Sequence, residues 1–132
     1  MIHTIEIKIR GYHLDLFGHV NNARYLEFLE EGRWAAFEKT VDLEALGRKG
    51  WVFTVVNINI NYRRPALIHD VLRIETRIAE WRRRSAVIRQ EVFNSQKGEV
   101  VADADVTFVI YDTTKQKSAV LEGALLKKLE AV

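Results

Sequence analysis

The stretch GYHLDLFGHVNNARYLEFLEEGRW, residues 11–34, decides how the rest of the chain is read. Its first half is a polar loop carrying His13, Asp15, Gly18, His19 and the adjacent pair Asn21-Asn22. In the second half the period changes. From Ala23 to Lys39, the residues Tyr25, Phe28, Leu29, Gly32, Ala35 and Ala36 fall on one stripe, with Arg24, Glu27, Glu30, Glu31 and Glu38 mostly elsewhere. That pattern predicts an amphipathic helix. Small residues on the inner stripe predict a helix held very close to another surface. The glutamates are expected on its exposed side, with Glu30 and Arg33 as an i,i+3 pair.

Outward from this segment the pattern is mostly strand. Residues 4–10 alternate, with Ile5, Ile7 and Ile9 on one side and Glu6, Lys8 and Arg10 on the other. After the helix, a short polar connection leads to a long strand over 51–63. There Ile58, Ile60 and Tyr62 share one face and Asn57, Asn59 and Asn61 the other. Asn has poor β propensity, so that face is either wet or satisfied across a protein interface. Arg63-Arg64-Pro65 ends the strand. Further strands are expected at 71–81, 85–94 and 100–111, the last with Ala102, Ala104, Val106, Phe108 and Ile110 on one face. Lys97-Gly98 marks a hairpin, and a closing helix over 121–131 repeats Leu125, Leu126 and Leu129. The order is strand, long helix, four strands, short helix, with no βαβαβ alternation. The fold class is therefore α+β, a single antiparallel sheet wrapped around one helix. No linker, repeat or low-complexity segment interrupts residues 1–132, which are expected to form one domain.

Composition narrows the function classes. Apolar residues make up 48% of the 132-residue chain and there is one proline, values of an ordered globular protein. The absence of cysteine excludes disulfides, thiolate metal sites and a cysteine nucleophile, and fits a reducing cytosol. A net charge of +2 is too small for a nucleic-acid binder. The basic residues bunch locally, at Arg63-Arg64 and Arg82-Arg83-Arg84, which suits a small polyanionic ligand. MIHTIEIKIR has no basic segment followed by an apolar one, so no signal peptide is expected, and no apolar run reaches the length of a membrane span. The cytoplasm is the expected location.

Elimination then points to the opening loop. Ser85, Ser95 and Ser118 lie outside any G-x-S-x-G turn. His3, His13, His19 and His69 form no H-x-x-x-H or H-E-x-x-H pair, which argues against zinc. What remains is a carboxylate with imidazole and amide groups at a helix start, a plausible acyl-transfer site. Asp15 would act as a base on water or as a direct nucleophile. The helix beginning near Asn22 offers unpaired N–H groups and the positive end of a dipole to a developing oxyanion. Thioesters suit so small a set of groups, because a thiol with a pKa of about 8.5 departs without a strong general acid. Each residue also has a plainer reading. Asn21 or Asn22 serves as helix N-cap, Asp15 closes an Asx turn, His13 and His19 pack or lie on the surface, and the triple arginine is a solvated hairpin.

The loop-to-helix segment resembles the hotdog-fold thioesterases of the 4-hydroxybenzoyl-CoA thioesterase family. The resemblance rests on Asp15, Gly18 and Tyr25, and on the variant Gly18-His19-Val20-Asn21-Asn22-x-x-Tyr25 typical of bacterial long-chain acyl-CoA and acyl-carrier-protein thioesterases. It extends through YLEFLEEGRW, VVNININYRRPA and VVADADVTFV to LEGALLKKL, nearly the whole chain, and is nearest the long-chain acyl-CoA thioesterases of the thioesterase III type. It implies a hotdog fold, an antiparallel sheet wrapped around one long central helix with a short C-terminal helix. It implies hydrolysis of medium- to long-chain acyl-CoA with no metal or redox cofactor. Asp15 would be the catalytic carboxylate, the Asn22 backbone N–H would polarise the thioester carbonyl, and His19 matches a histidine catalytic in the acyl-carrier-protein branch. That branch has Asn two residues after the Asp, where this chain has Phe17. Other relatives carry His at the position of Asn22, whose amide does no acid–base work. Gly18 and Tyr25 would line the substrate site, and Arg82, Arg83, Arg84 and Ser85, with Arg63 and Arg64, would hold CoA phosphates. The resemblance also implies an obligate homodimer, with a homotetramer expected. An acyl-carrier-protein thioesterase and a non-catalytic acyl-CoA-binding hotdog protein are the competing readings; signals of a hotdog dehydratase, N-P-x-H or H-F-P, are missing.

Overall fold

The computed structural model describes residues 1–132. β1 (His3–Lys8) leads through a 3₁₀ turn at Gly11–His13 into α1 (Asn22–Phe37) and a six-residue helix, α2 (Leu43–Arg48). β2 (Trp51–Tyr62), β3 (Val71–Trp81), β4 (Ala86–Asn94) and β5 (Glu99–Asp112) follow, then a two-residue strand, β6 (Lys117–Ser118), and α3 (Gly123–Glu130). All pairings are antiparallel, in the order β1-β3-β4-β5-β2 with β6 beside β5, so β2 is an edge strand. The sheet curls around α1. The inward face of β5, Ala102 to Ile110 at alternate positions, is fully buried as its period predicts. One continuous apolar core joins it to Tyr25, Phe28, Leu29, Ala36 and Phe37 of α1.

α1 approaches the sheet closely at Gly32. A Cβ built there would lie 2.9 Å from Ile74 Cγ2, 2.9 Å from Thr76 Oγ1 and 3.0 Å from Gln90 Nε2. Gly32 therefore sets the helix–sheet distance, as the small-residue stripe predicts. The long strand β2 carries a bulge at Val56, between the pairs Val55–Phe108 and Asn57–Thr107. The extra residue reverses the alternation, so that Phe53 and Val55 before it and Ile58 and Ile60 after it pack against the same core. The Asn face is wet in the single chain: Asn57 and Asn59 are exposed, and Asn61 donates to Asp103 Oδ1 at 3.3 Å.

Several expectations need correction. The polar connection after α1 contains α2, too short to show a period but capped by Asp42, which accepts from the Ala45 N–H at 2.9 Å. Both terminal elements are shorter than expected, because β1 runs only where it pairs with β3 and α3 starts after Glu122. The Glu30–Arg33 pair does not form. Arg33 is 8% exposed and turns inward to Gln90, while the pair on this helix is Arg24–Glu27 at 3.0 Å. No helix is long and apolar enough to cross a membrane.

Candidate active site

The loop before α1 is a tight turn organised by Asp15. Asp15 Oδ1 accepts from the Phe17 N–H at 2.9 Å and the His19 N–H at 3.3 Å, which is an Asx turn. The Asp15 carbonyl accepts from the Gly18 N–H, and the Asp15 N–H donates to the His19 carbonyl. Gly18 sits at φ +78° with nothing near its would-be Cβ, so backbone conformation and not space demands glycine there. The turn-forming and catalytic readings of Asp15 are thus compatible. One oxygen anchors the turn, and Oδ2 accepts no hydrogen bond from the protein.

The N-cap of α1 is Asn21, whose Oδ1 accepts from the Ala23 N–H at 3.0 Å. Asn22 is the first helical residue, and its backbone N–H donates to no group of the protein. It is an open donor at the positive end of a four-turn helix. Tyr62, at the end of β2, donates its hydroxyl to the Asn22 carbonyl at 3.1 Å and ties the first helical turn to the sheet. Asp15, His19, Asn22 and Tyr25 line a hollow of about 420 Å³ with Tyr62, Arg63 and Arg64. Segments some forty residues apart thus meet at one place.

Tyr25 is buried, its ring edge-on to Phe28 and Tyr62, and burial pushes its hydroxyl up to about 12. Its ring forms part of the wall of the hollow. His19 is exposed. His13 is the packed histidine: its Nδ1 accepts from the Arg10 N–H at 2.9 Å, its ring lies edge-on to Phe28, and burial lowers its pKa. Arg63 is aimed by Asp103, Nε to Oδ2 at 2.7 Å, and that bond holds the Asp103 carboxyl below the usual range. Arg64 donates to the Val100 carbonyl at 3.3 Å.

The arginine hairpin stands apart. None of Arg82, Arg83, Arg84 and Ser85 lines the Asp15 hollow. Arg82 pairs with Glu80 at 3.0 Å, and Arg84 donates to the Ser118 carbonyl at 2.7 Å. The side chain of Arg83 makes no hydrogen bond, while its carbonyl accepts from the Leu121 N–H. Tyr62 is the residue that sequence reasoning missed. Its only signal was its place in the inward series Ile58, Ile60, Tyr62, directly before Arg63-Arg64.

A sheet curled around one helix, with its polar site at that helix's N-terminus, is the hotdog arrangement, and its class here is that of thioester hydrolases. Comparison with known proteins agrees. The family model of the thioesterase-like superfamily matches residues 9–129. The chain is 49% identical over 125 residues to the long-chain acyl-CoA thioesterase FadM of Escherichia coli K12, covering 95% of each. The crystal structure of YbaW, a probable thioesterase from Escherichia coli, superposes with a TM-score of 0.90 at 48% identity, over 97% of this chain and 96% of that one. A mutant of 4-hydroxybenzoyl-CoA thioesterase complexed with 4-hydroxybenzoyl-CoA gives a TM-score of 0.84 at 25% identity, over 96% and 97%. The chain belongs to the thioesterase-like superfamily.

Proposed function

We propose that this protein is a cytoplasmic acyl-CoA thioesterase that hydrolyses medium- to long-chain fatty acyl-CoA to the free acid and CoA. The observation that carries the reading is the open Asn22 N–H at the start of α1, in the same hollow as the Asp15 carboxylate. The thioester carbonyl oxygen takes the Asn22 N–H, where the helix dipole and the hydrogen bond stabilise the charge that develops on it. Asp15 Oδ2 removes a proton from water, which adds to the carbonyl carbon, or itself adds and forms an anhydride that water then opens. The tetrahedral intermediate expels CoA thiolate, and the proton returns to it from the carboxyl group or solvent. Expulsion needs little help, since the thiol has a pKa of about 8.5. His19 stands at the rim as a further proton-transfer group.

Arg63 and Arg64 are the cations in that hollow and are assigned to CoA phosphates, which planar guanidinium groups hold well. Arg82, Arg83, Arg84 and Ser85 are assigned to the same ligand farther along, with Arg83 the least engaged of the three guanidinium groups. A homodimer, and from it a homotetramer, is part of the reading. The twelve-residue strand β2 leaves one edge unpaired, and exposed Val52, Val56 and Trp34 lie beside it. The test is a thiol-release screen across acyl-CoA chain lengths with an acyl-carrier-protein thioester alongside. Asp15→Asn is expected to keep fold and oligomeric state and to lose most turnover. Near-wild-type turnover in that variant would sink the mechanism, faster release from the carrier protein would reassign the substrate, and binding without release would make the protein an acyl-CoA binder.

A further inference from the structure

The Asn22 N–H has no acceptor in the protein, so its direction depends on what holds the atoms around it. On the Asn21 side the holds are local. The Asn21 N–H donates to the His13 carbonyl at 2.9 Å, and the Arg24 N–H donates to the Asn21 carbonyl at 2.9 Å. Asn21 Oδ1 takes the Ala23 N–H at 3.0 Å. On the Asn22 side a hold comes from the sheet: the Tyr62 hydroxyl donates to the Asn22 carbonyl at 3.1 Å.

Tyr62 is itself well fixed. It is the last residue of β2 and pairs with Ala102 of β5. Directly after it, the Arg63 and Arg64 N–H groups both donate to the Val101 carbonyl, at 2.8 and 3.1 Å. Its ring stands edge-on to that of buried Tyr25, with centroids 5.4 Å apart. A phenol on two rotatable bonds loses little freedom when held in this way. The bulge at Val56 decides its direction. Ile58 and Ile60 pack on the core side after the bulge, and Tyr62, two residues farther, follows them towards α1. Without that extra residue the phenol would leave the opposite face of the sheet. The hydroxyl has one proton, and the Asn22 carbonyl takes it. Towards the hollow Oη therefore offers lone pairs alone and makes no donation to a thioester carbonyl.

We propose that Tyr62 is a positioning residue of the site, holding the first turn of α1 so that the Asn22 N–H stays aimed at the developing oxyanion. The inference rests on the acyl-CoA thioesterase reading and on the oxyanion donor assigned there. Such donors act through fixed geometry, and a displacement of about 1 Å costs up to about 10²-fold in rate. Tyr62 acts through Asn22 and touches no reacting atom.

The experiment is a double-mutant cycle on steady-state thiol release from a long-chain acyl-CoA, with Tyr62→Phe made in the wild type and in Asn22→Pro. Phenylalanine keeps the ring against Tyr25, and Asn22 is exposed, so its carbonyl takes water in place of the hydroxyl. Proline at this position keeps the carbonyl and removes the N–H. In the wild type, Tyr62→Phe is expected to lower kcat roughly ten- to a hundredfold, with KM and melting temperature little changed. In Asn22→Pro it is expected to lower kcat no further, because the donor it positions is already gone. The pH–rate profile of Tyr62→Phe is expected to keep the wild-type shape at lower height, since Tyr62 moves no proton. An unchanged kcat in Tyr62→Phe would overturn the proposal, as would an equal loss in both backgrounds. Disappearance of one limb of the pH–rate profile would overturn it too, by making Tyr62 an acid or base. Each of those results leaves Asn22→Pro slow. Failure of the underlying reading looks different: Asn22→Pro then turns over as fast as Asn22→Ala, and both inferences fall.

Discussion

Replacing Asn22 by proline deletes one hydrogen atom that the proposed mechanism depends on, and the structure indicates that little else should change. Asn22 is the first residue of α1, the position where proline is best tolerated. Its N–H makes no bond within the protein, so none is lost. The preceding residue, Asn21, is at φ −60° and ψ 136°, the extended region that a following proline requires. Its capping bond to Ala23 and the Tyr62 bond to the Asn22 carbonyl involve other atoms. Stability should therefore hold or rise, by about 0.4–1 kcal/mol from the stiffer unfolded chain. The oxyanion donor disappears, and removing one such donor costs about 10²–10³ in kcat, or roughly 2.7–4 kcal/mol of barrier. Asn22→Ala is the control, since it loses the side-chain amide but keeps the N–H. The assay is steady-state thiol release from a long-chain acyl-CoA, with thermal melts of both variants. Alanine should turn over near the wild-type rate and proline at least a hundredfold more slowly. A folded Asn22→Pro protein with activity comparable to Asn22→Ala would refute the placement of the oxyanion.

Gly32→Ala tests how closely α1 is seated. Helix propensity alone would stabilise by about 1 kcal/mol. The new Cβ instead meets branched Ile74 and the bonded Thr76–Gln90 pair, and overpacking of this kind costs about 1–3 kcal/mol before any buried hydrogen bond is disturbed. The melting temperature should fall by several degrees, whereas Gly47→Ala, with open space around it, should raise it; a Gly32→Ala protein more stable than wild type would remove the close-packing argument. Stability should also decline as pH falls below about 6.5. Burial lowers the pKa of His13 in the folded state, so the unfolded chain binds more protons in that window, and stability is full above the unfolded value and lost on acidification. Protonation at Nδ1 would also break the bond from the Arg10 N–H. A melting temperature that does not change between pH 7.5 and 5.5, or an equal slope in His13→Gln, would contradict this role.

What was legible in the sequence was local or periodic. Asp15, Gly18, Asn22 and Tyr25 fall within one turn and the first helical turn, so their meeting needs no distant partner. The inward face of β5 follows from alternation alone, and the close approach of α1 from its small residues. Less legible was the bulge at Val56, which shifts the period of β2 by one and depends on pairing with β5. The arginines looked alike as dipeptide and tripeptide runs, yet Arg63 is drawn to Asp103 beside the hollow and Arg84 to the carbonyl of Ser118.

By itself, the order of residues determined most of the elements and the turn at Asp15, because hydrogen bonds inside a turn and the alternation of side chains act over a few positions. The class of chemistry was read from the resemblance of the whole loop-to-helix segment to hotdog-fold thioesterases. The tertiary structure alone decided what fills the space between elements. Arg33 reads as a surface charge with Glu30 one turn away, and it is buried because an amide 57 residues later supplies its acceptor. Tyr62 reads as the last core residue of a strand, and it reaches the helix start because the curl of the sheet brings the end of β2 over Asn22. Such partners are chosen by the distance of closest approach between packed surfaces, a quantity set by all the side chains of the core together.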